Sequence, residues 1–390
     1  SHGLSSAIHA EVQRRPRHVS SRGPLRQASS RARLNSVPAV AEPAGCGAPL
    51  AAATAVVTLA ALQHSRRYQR RRLSQRRAVE TSVAGSAGSS AGLLLLEHLN
   101  LNVLSTEVAL RFYEALGCAR DARRPMHKTL HNNCGALTQF HTPSPANEAF
   151  IAGSGAQRWR GEVELLYEDA ASVSKAAERV RALLGNGDFA GTELSVSQGA
   201  GERVAVTDPY GNAFVLCVAE AQRKAELGPA SGARPGSECC DCVGLGSATL
   251  LVPTGCAAPG ARFYASVLGF TTEELAPDCW AITGGPGGAS QRLILQEDPE
   301  ATGKEIGEHV AIYIGDFEGC FTRLLDRGLI FLNPRFEHLD RSTTLEEALH
   351  YSCFRFKDIV DVASGEKLFE LEHEVRSKAH KSCPLKVDAA

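Results

Sequence analysis

Neither sign of charge prevails in this sequence: 42 lysines and arginines stand against 43 aspartates and glutamates. A basic footprint over the whole chain is missing, and with it the expectation of a nucleic-acid partner. Long hydrophobic runs are missing too. Ala48 to Leu62 (APLAAATAVVTLAAL) is nearly half alanine. It falls short of the ~20 residues a spanning helix needs, so no stable membrane anchor is expected. The 12 cysteines follow no regular spacing in a chain of 390 residues. That speaks against a disulfide framework and fits a reducing compartment. Lysine is absent before Glu80, where fourteen arginines meet only two acids, Glu11 and Glu42.

The segment 1–92 is rich in Arg, Ser and Ala and poor in acids, as transit peptides are. A basic block, His64 to Arg77, follows the apolar run, and Val83 to Ala91 (VAGSAGSSA) reads as a flexible linker. The segment is expected to be a largely disordered targeting leader. The plainer alternative is an Ala-rich tail whose basic block meets acidic surfaces non-specifically. The resemblance to leaders of plastid-imported proteins implies a plastid address, with mitochondrion or cytoplasm as the alternatives.

What the chain does have is repetition. Glu97 to Gly117 (EHLNLNVLSTEVALRFYEALG) begins with strict alternation. His98, Asn100 and Asn102 fall on one strand face, Leu99, Leu101 and Val103 on the other. Ser105 or Thr106 can cap the helix that follows, and Gly117 can close it. Ser247 to Gly269 repeats the phrase, with ARFYASVLG answering LRFYEALG; Glu162 to Leu184 and His309 to Gly328 are weaker echoes. Four strand–helix starts at intervals of roughly 60 to 80 residues mark internal duplication. The modules span about Leu94 to Thr142, Trp159 to Ala219, Leu245 to Glu297 and Gly307 to Val375. A polar stretch in the last module, about Asn333 to Tyr351, reads as a lid or as an insertion. Cys239, Cys240 and Cys242 lie between modules two and three. They read as a soft metal or redox site, or as an incidental cluster of thiols. No second Cys pair or His cluster stands at zinc-finger spacing.

The four modules, the phrases HLNLNV and FYEALG, DPYGN (Asp208 to Asn212) before a last strand, and HVAIYI from His309 resemble the vicinal oxygen chelate superfamily over about residues 94 to 375. Glyoxalase I, extradiol dioxygenases and bleomycin-resistance proteins share that fold. The resemblance implies an α+β protein of tandem βαβββ modules, with cupped mixed sheets and helices outside. The expected layout is glyoxalase-like domain 1 over 93–220, a linker over 221–243, domain 2 over 244–377 and a tail over 378–390.

The same resemblance implies a divalent metal (Fe, Mn, Ni or Zn) held by side chains from the first and last strands of paired modules. First-strand positions hold His98, Glu162, Ser247 and His309. Last-strand positions hold Gln139 or His141 in module one, Val215 in module two, Ile294 or Gln296 in module three and Glu370 in module four. Pairing one with four would gather His98, Gln139 or His141, His309 and Glu370, and would leave the two–three cup without a metal. Glu370 is the expected catalytic carboxylate, able to shuttle a proton. Glu372 and Glu374 share its face and read as a solvated strand end. Asn100 and Asn102 are expected to hold a substrate oxygen or to orient a ligand. The implied function is a lyase, isomerase or dioxygenase acting on a small molecule with vicinal oxygens, as a monomer or homodimer. No glutathione-holding residues are located. The alternative is a metal-free ligand-binding or scaffold protein, favoured by the lost ligand positions in modules two and three.

Overall fold

The computed structural model describes residues 92–127, 129–146, 155–199, 203–228 and 240–385, all within one compact unit, Ser86–Ala390. The expected leader lies outside the described residues up to position 91, and so does Cys239. No described helix is long and apolar enough to cross a membrane.

The α+β architecture is four βαβββ modules. Module one comprises β1 (Leu93–Asn100), α1 (Thr106–Ala115), β2 (Ala119–Arg120), β3 (Thr129–Cys134) and β4 (Thr138–Pro143). Module two comprises β5 (Glu162–Tyr167), α2 (Ala170–Leu183), β6 (Ser195–Gln198), β7 (Val204–Thr207) and β8 (Ala213–Val218). A short helix, α3 (Ala221–Leu227), occupies the start of the expected linker. Module three comprises β9 (Cys242–Val252), α4 (Ala257–Phe263), β10 (Thr271–Ala276), β11 (Cys279–Gly284) and β12 (Gln291–Glu297). Module four comprises β13 (His309–Ile314), α5 (Phe317–Leu325), α6 (Glu337–Asp340), α7 (Leu345–Tyr351), β14 (Cys353–Val360) and β15 (Lys367–Arg376). Its second strand is reduced to a bridge between Ile330 and Phe356.

Local chemistry accounts for these elements. The Ser105 side chain caps α1 by accepting from the Val108 amide at 3.3 Å. Ala109, Phe112 and Tyr113 recur at helical spacing and are buried. Gly117 closes the helix at φ 90°, where a side chain would be strained.

Two pairing patterns interlock the modules. On the sheet, β1 runs antiparallel to β13 and β5 antiparallel to β9, so module one faces four and module two faces three. The two half-sheets meet where Leu93 pairs with Gly284. The aromatic core joins the modules the other way. Phe112, Tyr113 and Phe140 of module one meet Phe214 of module two, and Phe263 of module three meets Phe356 of module four.

The strand β9 is pinned to module one by a close backbone approach. Gly135, at φ 70°, has no room for a Cβ, which would fall on the Val243 carbonyl. Gly135→Ala should therefore cost about 2 to 3 kcal/mol through strain and displacement. A urea titration within about 0.5 kcal/mol of wild type would contradict the close approach.

On the helix-facing side of β15, His373 donates from Nδ1 to the Leu371 carbonyl at 2.7 Å. Its Nε2 meets the Tyr264 hydroxyl at 3.0 Å, and its ring stacks on Phe356 at 4.3 Å. Burial lowers its pKa from 6.5 to about 3. Between those values the unfolded chain binds a proton that the folded chain refuses. The contribution is complete above ~6.5 and is lost as pH falls toward 3. From pH 7 to 5, wild type should lose about 2 kcal/mol more stability than His373→Leu. Equal losses in paired urea titrations would refute this.

Candidate metal centre

The strand pairings arrange the site in two rows across β3, β4, β1, β13 and β15. One row runs Asn133, Gln139, His98, Ala311, Glu374 and on to Arg355 of β14; the next runs His131, His141, Asn100, His309, Glu372. Residues in register share a face. The small Ala311 stands between His98 and Glu374, and the two side chains approach across it. His98 Nε2 lies 3.9 Å from Glu374 Oε2, and His309 Nε2 lies 3.5 Å from the same oxygen. All three residues are buried, and their ligand atoms lie within 4.8 Å of one another.

Each group has a defined state. A register shift between Leu96 and His98 brings Glu97 beside its neighbour, and Glu97 Oε2 sits 2.6 Å from His98 Nδ1. A proton donated there leaves the Nε2 lone pair facing Glu374. Burial lowers the His98 pKa to about 4, so the ring is neutral at pH 7. Burial opposes charge on Glu374, but the Arg376 and Arg355 guanidiniums hold its pKa well below the usual carboxylate range. Arg355 bridges Glu374 at 3.0 Å, Asp340 at 2.7 Å and Glu372 at 2.8 Å. Arg376 Nε donates to Glu374 Oε1 at 2.6 Å, and its Nη1 reaches Glu97 at 3.0 Å.

The expected lid covers this face. Asn333 Nδ2 donates to both Glu372 oxygens at 3.0 and 2.8 Å, Arg335 reaches Asn102 Oδ1 at 3.3 Å, and Phe336 meets the His309 ring edge-on at 5.3 Å. Phe336 also lies under the Arg355 guanidinium at 4.3 Å.

Several expected residues fall elsewhere. Glu370, the expected ligand and catalytic carboxylate, does not enter the site. Its Oε1 pairs with Lys367 at 2.6 Å and its Oε2 accepts from the Glu305 amide at 3.4 Å. It stands four residues before Glu374, roughly 13 Å along the strand at ~3.3 Å per residue. Glu372 and Glu374 are not a solvated strand end either, at 1% and 7% exposure. The β13–β15 register sets them level with His309 and Ala311. Gln139 and His141 adjoin the site but are bonded to each other, with Gln139 Oε1 3.0 Å from His141 Nε2. The His141 ring stacks on His98 at 3.6 Å and meets His131 at 3.8 Å. Asn100 and Asn102 are buried, and Asn100 Oδ1 has no partner.

In the other half-sheet, Glu164 faces Ser247 and pairs with Arg223 at 2.7 Å beside Val215. A cavity of about 260 Å³ lies there, lined by Glu164, Arg203, Cys217, Val218, Glu220 and Arg223. Among the described residues, no three ligand atoms converge in that half.

A divalent cation fits the His98 site on two observations. His98 Nε2 is buried without a hydrogen-bond partner, an unusual state for a buried nitrogen. The donor separations of 3.5 and 3.9 Å are near the ~3.4 Å edge of a tetrahedron with bonds of ~2.1 Å. The charge also matches. Four buried carboxylates, Glu97, Asp340, Glu372 and Glu374, face two buried guanidiniums, Arg355 and Arg376. Two imidazoles and a carboxylate suit non-haem iron, manganese, nickel or zinc.

Several solved structures resemble the chain. A candidate dioxygenase from Bacillus subtilis subsp. subtilis str. 168 is 14% identical, covers 77% of this chain and 92% of its own, and gives a TM-score of 0.45. A glyoxalase I mutant from Zea mays is 15% identical, covers 74% and 94%, and gives 0.41. A lactoylglutathione lyase from Agrobacterium tumefaciens is 16% identical, covers 32% and 92%, and gives 0.23. No family model matches the sequence, and no curated protein matches it. The four βαβββ modules are the architecture that the vicinal oxygen chelate resemblance implied.

Proposed function

We propose that this protein is a metal-dependent enzyme acting on a small molecule with two adjacent oxygens, with His98, His309 and Glu374 holding the cation. The observation that carries this reading is the unpartnered His98 Nε2, buried opposite Glu374 and oriented by Glu97. Bound there, the cation would supply Lewis-acid polarisation of the substrate oxygens. The chain's own groups do the rest. Asn100 Oδ1, buried without a partner beside His309, and Arg335, at 3.3 Å from Asn102, would hold substrate atoms. Glu372, held by Asn333 and Arg355 beside His309, is the carboxylate left for proton transfer once Glu374 ligates. Phe336 and the surrounding lid exclude water. Lyase, isomerase and dioxygenase chemistry would each be open to this arrangement.

The test is metal content of the full chain purified without chelators, beside a His98→Ala/His309→Ala variant, followed by an anaerobic screen of diols and 2-oxoaldehydes. About one equivalent lost in the variant, with turnover of one substrate class, supports the enzyme. A second reading rests on Arg355, which lies closer to Glu374 Oε2 than either histidine. If reconstitution places no metal in the wild type that the variant lacks, the ion-pair network is complete as it stands and the protein is a binder. Plastid import is proposed on the composition of residues 1–92 alone. A fluorescent fusion of that segment that stays in the cytosol would overturn it.

A further inference from the structure

A second group of ligand-type side chains differs from the histidine site in chemistry. Cys118 follows α1, Cys134 ends β3, Cys242 opens β9 and Cys240 stands two residues before it. Their exposures are 6%, 0%, 5% and 0%. Cys242 Sγ lies 3.4 Å from Cys134 Sγ and 4.0 Å from Cys118 Sγ, and ligand atoms of these three converge within 4.8 Å. Cys240 donates its thiol to the Asn133 carbonyl at 3.3 Å.

We infer that Cys118, Cys134 and Cys242, with Cys240 as the fourth ligand, form a structural zinc site that clamps module one to the start of β9. The spacing carries this. Four thiolates around zinc at ~2.3 Å stand ~3.8 Å apart along tetrahedral edges. The sulfur separations of 3.4 and 4.0 Å bracket that figure. A disulfide would need ~2.05 Å and would use only two of the sulfurs.

The backbone around the cluster is fixed as a closed structural site requires. The Asp241 amide donates to the Gly117 carbonyl at 2.8 Å, the Leu245 amide to Thr138 Oγ1 at 3.0 Å, and Gly135 lies against Val243. Zinc displaces a proton from each ligating thiol. A positive group is close by. Arg179 Nε binds the Ala115 carbonyl at 2.8 Å, its Nη1 binds Asp241 at 2.6 Å, and its Nη2 is buried without a partner. Bare apolar burial would leave four thiols here inert; their convergence from three separate strand and helix ends is what that reading leaves unexplained.

The test separates this site from the histidine site by its chemistry, because only thiolates give cobalt an intense near-ultraviolet charge-transfer band. The full chain is loaded with Co²⁺ as wild type, Glu374→Gln and Cys134→Ser/Cys242→Ser. The band is expected in wild type and Glu374→Gln, and absent from the cysteine variant. In the zinc form, a mercurial thiol reagent should release one equivalent of zinc from wild type and from Glu374→Gln. If the cysteine variant does not fold, the wild-type spectrum and the mercurial release decide the matter. A folded, cobalt-loaded wild type without the band overturns the proposal. So does a Cys134–Cys242 disulfide found by peptide mapping of unreduced protein.

Discussion

Glu374→Gln should cost the His98–His309 pair its metal, while Glu370→Gln should change metal content and turnover by less than about twofold. The two glutamates share a strand and a face, but only Glu374 Oε2 stands 3.5 and 3.9 Å from the two imidazoles. Losing even an outer-shell partner weakens metal binding 10- to 100-fold. Losing one of three ligands should exceed that, so a loss of roughly 100-fold or more in affinity is expected. Glutamine preserves shape and can still accept from Arg355 and Arg376. Glu97, Asp340 and Glu372 remain to balance those guanidiniums, so the variant should fold. Glu370 faces Lys367 at the half-exposed start of β15, and its loss removes one surface ion pair worth about 0 to 1 kcal/mol. Isothermal titration with Zn²⁺ or Mn²⁺ compares the two. Equal affinity for both variants would remove Glu374 from the site.

Arg355→Leu should produce the largest loss of stability. Arg355 is 4% exposed and bridges Asp340, Glu372 and Glu374. Removing one partner of a buried ion network leaves the others uncompensated, at about 3 to 5 kcal/mol. In a unit of this size that corresponds to a fall in Tm of roughly 10 °C. The deficit should also depend on pH. Burial already raises the Asp340 pKa, and without the guanidinium it loses the charge that opposes that rise, so the variant loses stability as pH rises through it. Its deficit against wild type should be smaller at pH 5 than at pH 8. A Tm within about 2 °C of wild type at pH 8 would mean that the carboxylates find other partners.

Much of this protein was legible in one dimension. The FYEALG and ARFYASVLG phrases, the Ser105 cap and the alternation from His98 to Asn102 specify strand–helix units by local rules, because period and capping act within a few residues. Duplication then placed His98 and His309 at matching first-strand positions of modules one and four. Those two residues do meet in the structure, because β1 pairs with β13 rather than with β5. Alternation also put Glu370, Glu372 and Glu374 on one face of β15. It could go no further, because sliding a strand by two or four residues leaves every side chain on its own face. The β13–β15 register chose Glu374.

Other features had no local signature at all. Glu97 reads as the wrong face of its strand, and a register shift between Leu96 and His98 turns it toward the imidazole. Arg355 looks like any strand arginine until β14 sets it beside Glu374. Cys118 and Cys134 are unremarkable singly, and they meet Cys240 and Cys242 only because β9 begins against module one. The sequence by itself determined the module, its repetition and the strands that carry the histidines, since these follow from short-range periodicity. Register, cross-module pairing and the sharing of buried charge were decided by the tertiary structure alone, because each depends on which distant strands exclude water together.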